Sequence, residues 1–187
     1  MRNLIQKTAI GVMCCAFAQS PAVAGWINPC TTAHLIAAWR QQGFWSTAAI
    51  SDPPSSPAGH EVRYVGKIYV GNRAYKIYFD DNTQPTGAHR ADENVIVTTN
   101  IGKFLGHYAI SGSDMEPVRT EGADILFELR RDGVSLQQKD SSRFRVHFGL
   151  SGPPRNIYLN GALPEFTPAY AGAPHNPVRF GAYCRVR

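Results

Sequence analysis

From Glu61 onward apolar and polar residues alternate with a period of two, the spacing of strands with one covered face. Arg63 to Val70, the pair Gly71-Asn72 and Arg73 to Phe79 read as a hairpin, and glycine in the first turn position suits a type II′ turn. Asn94 to Thr99, the turn Asn100-Ile101-Gly102 and Lys103 to Ser111 read as a second hairpin. Ala123 to Arg130, a turn at Asp132-Gly133 and Val134 to Gln138 make a third. Phe144, Val146, Phe148 and Leu150 then alternate with Arg143, Arg145, His147 and Gly149. Asn156 to Leu159 is short and stops at Asn160-Gly161, and a last strand carries Val178, Phe180, Ala182, Cys184 and Val186 on its apolar side. Ahead of the strands, Leu35, Ile36 and Trp39 fall on one helical face, with Thr31 or Thr32 as cap and Gly43 as stop. The pattern predicts a mainly β fold: a single antiparallel meander closing into a barrel, or a two-sheet sandwich, with one short N-terminal helix.

The first residues break that pattern. Arg2 and Lys7 precede an uncharged apolar run from Thr8 to Ala18, and Ala22-Val23-Ala24 supplies small residues where a signal peptidase cuts. The run is about half of the roughly 20 residues that span a bilayer, so no permanent membrane anchor is expected. Residues 1–24 are read as a signal peptide and 25–187 as one mostly β domain. Within it, 25–60 hold the helix and a proline-rich connection, and 61–187 hold the sheet. The protein is then exported, to a periplasm or outside the cell.

Composition changes the picture in two places. Arg2 and Lys7 leave with the leader, so seventeen basic residues face fourteen acidic ones, scattered rather than gathered in a stripe. Nucleic-acid binding is not expected from such a surface. Cys14 and Cys15 leave too, and Cys30 and Cys184 remain near opposite ends of the mature chain. In an oxidising compartment these two pair, a link of about 4–5 kcal/mol at most in the chain-entropy model.

Gly43-Phe44-Trp45 resembles the Gly–x–Trp that opens the first strand of lipocalin-like barrels, and Arg179 or Arg185 would lie over that tryptophan. The family's second signature, a Thr-Asp-Tyr turn, is absent, and the resemblance implies only a ligand-holding barrel.

Chemistry-bearing residues are few. The polar connection from Asp80 to Glu93 offers oxygen ligands for calcium in Asp80, Asp81, Asn82, Asp92 and Glu93, but not at EF-hand spacing. His89 and Arg90 lie in it, and His89 beside Asp80 or Asp81 makes a base with an orienting carboxylate. His107 and His147 sit mid-strand on the more polar sides and would need adjacent strands to form a metal site with His89. No Gly–x–Ser–x–Gly, His–Glu–x–x–His, Cys–x–x–Cys or phosphate loop occurs, and no cofactor or metal is expected. Tyr64 shares a face with Ile68 and Val70, Tyr75 with Ile77 and Phe79, and Phe104 with Tyr108 and Ile110. Tyr64, Tyr75, Tyr108, His89 and Arg90 are the candidate ligand-binding residues, because tyrosines inside a closed sheet give an apolar wall with polar tips.

Three functional readings follow. The leading one is a non-enzymatic exported domain that binds a small apolar or amphipathic ligand, or an envelope protein. The second is a hydrolase-type enzyme using the Asp80–Glu93 loop with His89 as base. The third is a structural or inhibitory interaction module acting through the proline-rich stretch with Phe166 and Tyr170. Export has a direct check. Mass spectrometry of the natural product is expected to find a chain beginning at Gly25, and an intact Met1 would contradict processing.

Overall fold

In a computed structural model the described residues are 25–44, 60–82, 92–129 and 143–169. They form β1 (Gly25–Trp26), α1 (Pro29–Gln41), β2 (His60–Val70), β3 (Arg73–Asn82), β4 (Asp92–Thr99) and β5 (Phe104–Ala109). β6 (Met115–Glu121), β7 (Asp124–Leu129), β8 (Arg143–His147) and β9 (Phe166–Pro168) follow. All pairings are antiparallel, and they build a six-stranded sheet in the order β1-β2-β3-β4-β5-β9 and a three-stranded sheet in the order β6-β7-β8. No helix among the described residues is long and apolar enough to cross a membrane.

The larger sheet is covered on both faces. On one, α1 sets Ile36 and Trp39, with Phe44 just beyond it, against Val62, Tyr78, Ile96 and Phe104. Trp39 meets Tyr78 at 5.1 Å and Phe44 at 6.5 Å between ring centroids, within the range of favourable aromatic pairs. On the other face, Ile68, Tyr75, Ile77, Phe79, Val95, Val97 and Tyr108 share one core with Ile125, Phe127, Val146 and Phe148 of the smaller sheet side. This explains why the middles of β3 and β4, Ile77-Tyr78-Phe79 and Val95-Ile96-Val97, are continuous apolar runs rather than alternating ones. Arg63 reaches across the second interface: its guanidinium donates to Pro117 O at 2.6 Å and lies over the Trp26 and Phe79 rings.

The hairpin turns are local and match the expected pairings. Gly71 has φ of +57° and Asn72 does not have a positive φ, as a type II′ turn requires. The β4–β5 turn closes through the Gly102 N–H on Thr99 O. The helix begins earlier than Thr31: Pro29 is its first residue, and Asn28 Oδ1 accepts from the Thr31 N–H at 2.9 Å, so Asn28 is the cap. At its far end the Gln42 amide oxygen accepts from the Phe104 N–H at 2.8 Å, which pins the start of β5.

Several expectations are corrected. A bulge between Tyr64 and Gly66 shifts the phase of β2, so Tyr64 packs on the helix side while Ile68 and Val70 face the smaller sheet. A second bulge, at Leu105, separates Phe104 from Tyr108 and Ile110 in the same way. The connection after Phe79 is shorter than fourteen residues, because Asp80, Asp81 and Asn82 continue β3 and pair with Asn94, Glu93 and Asp92. β6 was not anticipated, since Pro117 interrupts its pattern; the proline sits at a bulge on an edge strand, where a missing N–H is tolerated. β9 extends the sheet through the stretch expected to be a surface excursion, and Phe166 packs on Tyr108 rather than standing free. Gly43 and Phe44 follow the helix and open no strand. Among the described residues β1 and β9 do not pair, so no closed barrel forms. The leader, the strand at 134–138, the last strand with Cys184, and Trp45 lie outside the described residues.

Gly106 marks a close approach of β9 to β5. A Cβ there would press on the Thr167 carbonyl oxygen and the Phe166 ring. Gly106→Ala is therefore expected to destabilise the domain by about 1–3 kcal/mol through overpacking. An unchanged denaturation midpoint would contradict the β5–β9 contact.

Candidate functional site

Where the β2–β3 and β4–β5 turns end, the large sheet opens into a cleft of about 550 Å³. Arg73, Ala74 and Tyr75 of β3 and Thr99 at the end of β4 form one side. Asn100 and Ile101 come from the next turn, Ser151, Gly152 and Pro153 from the loop after β8, and Leu105 and Phe166 complete the wall. The lining is mostly apolar, and its volume falls within the range of small-molecule sites.

Local structure explains each of these positions. The Leu105 bulge inserts an extra residue into β5 and turns that side chain toward the face of Tyr108. Tyr108 is fully buried, donates its hydroxyl to Pro154 O at 2.6 Å and lies 5.0 Å from the Phe166 ring. It therefore holds both the loop and β9 in place from behind. Burial pushes its phenol well above the ordinary range, so it remains a donor. Gly152 sits where a Cβ would stand 3.5 Å from the Tyr75 hydroxyl, which keeps the loop close to β3. Ile101, at the turn tip, is 89% exposed although it lines an apolar wall.

Of the expected ligand residues, Tyr75 lines the cleft and Tyr108 supports it. Tyr64 does not join them: the β2 bulge puts it on the helix face, 5.4 Å from the Tyr78 ring. His89 and Arg90 lie outside the described residues. Arg73, Ile101, Leu105 and Gly152 were missed. One signal was available, since an isolated glycine inside a strand pattern marks a bulge, and Gly66 and Gly106 each adjoin one.

The histidines do not assemble. His107 faces the helix side, 5% exposed, with its ring 5.2 Å from Phe44. It is thus buried rather than on a polar surface. His147 lies on another sheet, where its Nδ1 meets Asp124 Oδ1 at 2.7 Å and its side chain is 70% exposed. Burial works against the Asp124 carboxylate, but hydrogen bonds from His147 and Arg145 hold it below the usual carboxylate range. Arg145 also reaches Glu121 at 3.2 Å, so the pair belongs to a surface ion network across β6, β7 and β8. Cross-strand charge pairing accounts for it. Among the described residues no group of three or more His, Cys, Asp or Glu side chains is placed to hold a metal. The carboxylates weighed as calcium ligands, Asp80, Asp81 and Glu93, are buried within the β3–β4 ladder.

No family model, curated protein or solved structure matches the chain.

His107 yields a pH prediction. Burial pushes its imidazole down to about 4, and Nδ1 has no hydrogen-bond partner. The folded state binds the proton less well than the unfolded chain, whose histidines titrate near 6.5. This contribution is complete above about pH 6.5 and is lost as pH falls toward 4, with a ceiling of about 3 kcal/mol. His107→Phe is expected to flatten the acid limb of a stability–pH curve, and an unchanged limb would contradict the assignment. At the cleft wall, Tyr108→Phe is expected to cost about 1–2 kcal/mol by leaving Pro154 O without its donor, read as a lowered urea midpoint.

Proposed function

We propose that this protein is an exported, non-enzymatic domain that holds a small apolar or amphipathic ligand in the cleft between Arg73, Ile101, Leu105 and Phe166. The observation that carries the reading is an apolar cleft built from four separate chain segments and braced by Tyr108. Its lining among the described residues contains no Asp, Glu, His or Cys, so it offers binding surface and no carboxylate or imidazole base.

The wider arrangement belongs to the same proposal. The two sheets close around their shared core as an open sandwich rather than a barrel, with β2 and β6 adjoining on one side through the Tyr69 N–H on Gly122 O. Export belongs to the proposal on the sequence alone, from the basic start, the apolar run and Ala22-Val23-Ala24. A Cys30–Cys184 link belongs to it on the cysteine count alone, Cys30 lying exposed in the first turn of α1 and Cys184 outside the described residues. An envelope-protein partner is the second reading, favoured by Tyr158 and Leu163, which stand exposed on the 156–165 excursion away from the cleft lining.

A neutral fluorescent probe, N-phenyl-1-naphthylamine, tests the reading. Saturable one-to-one binding that is weakened by Leu105→Asp but not by Tyr158→Ser is expected. Absence of saturable binding, or equal loss in both variants, would overturn the cleft as the site.

A further inference from the structure

The cleft carries one formal charge among its described lining residues. That charge is Arg73, at the start of β3 beside the exposed turn, and no acidic side chain lines the same space. Among the described residues the other exposed arginines are paired: Arg119 with Glu121, Arg143 with Glu128, Arg145 with Asp124 and Arg155 with Glu165. Arg73 makes no ion pair among the described residues. A guanidinium at the mouth of an apolar wall is an unmatched anion site, because its donors suit a carboxylate or phosphate.

The rest of the lining sets the other end of the ligand. Leu105, Phe166 and the Tyr75 ring are apolar and partly or wholly withdrawn from water. Ile101 is the contrary case, an apolar side chain 89% exposed, and Leu150 is 80% exposed next to Gly71 at the same end. A tail laid along Leu105 and Phe166 and under Ile101 would remove apolar surface that the protein alone leaves wet, at roughly 25 cal/mol per Å² covered.

We propose that the cleft selects an amphiphile with an apolar tail and an anionic head, the tail lying against Leu105, Ile101 and Phe166 and the head on Arg73. This rests on the cleft being the binding site, as argued above, and adds the class of ligand. Arg73 fixes the head and decides between charged and neutral ligands of equal length, whereas Ile101 contributes to both.

Displacement of N-phenyl-1-naphthylamine from the purified mature protein by decanoate and by decan-1-ol separates the two claims. Decanoate is expected to bind about tenfold more tightly than decan-1-ol at low salt. Arg73→Gln should remove most of that difference while leaving decan-1-ol within twofold, as loss of a charge-assisted contact predicts. Raising the salt should weaken decanoate alone, because an exposed charge is screened. Ile101→Asn should weaken both. Equal affinities for the two amphiphiles, or an Arg73→Gln protein that still prefers decanoate, would overturn the anionic-head assignment and leave the cleft reading intact. Failure of both amphiphiles to displace the probe would overturn both. Because Arg73 is exposed and outside the cores, a folded Arg73→Gln variant is expected, with circular dichroism as the check.

Discussion

The six-stranded sheet is sealed on both faces, and the other features follow from that constraint. One cover is a single helix whose Trp39 lies against Tyr78; the other is a three-stranded sheet contributing Ile125, Phe127 and Val146. A sheet with two dry faces bears a desolvation cost for each polar group it buries, and this one buries several. His107, Asp80, Asn94 and Thr98 are all buried. Arg63 resolves the same problem by threading its guanidinium between two aromatic rings to a carbonyl of β6. Desolvation is tolerated where a partner or an aromatic wall is at hand.

Where the smaller sheet stops covering the larger one, the apolar surface has to end. The start of β3, the β4–β5 turn and the 151–153 loop leave the cleft there, walled but not filled. The Leu105 bulge and the close β5–β9 approach at Gly106 shape it, and Tyr108 anchors both. The cleft is thus a consequence of how the two sheets differ in extent. Arg73 stands at its mouth because the β2–β3 turn returns the chain at that point.

Much of the fold was legible from alternation alone. The Gly71-Asn72 hairpin, the Asn100–Gly102 turn and β8 came through because each is decided by neighbours in sequence. The two-faced burial was harder to read: alternation puts Tyr75, Ile77 and Phe79 on one face of β3, as found, but gives no sign that α1 covers Tyr78 on the other. Bulges defeated the face assignments of Tyr64 and Phe104, since one extra residue inverts every side chain beyond it. β6 and β9 were hidden by prolines at an edge and a strand end, where propensity argues against a strand but pairing still permits one. Of the site, Tyr75 and Tyr108 were found through their shared face. The remaining walls come from turns and a loop that only tertiary packing brings together, a relation that periodicity does not encode.

Amide hydrogen exchange on the mature protein, with and without decan-1-ol, bears most directly on the claim that a doubly covered sheet supports an open binding end. The account predicts that amides of β3 and β4 exchange only through global unfolding, while residues 100–105 and 151–153 exchange through local opening and slow when the alcohol is present. If β3 and β4 exchanged as fast as those turns, or if the alcohol protected the helix and left both turns unchanged, the account would be contradicted.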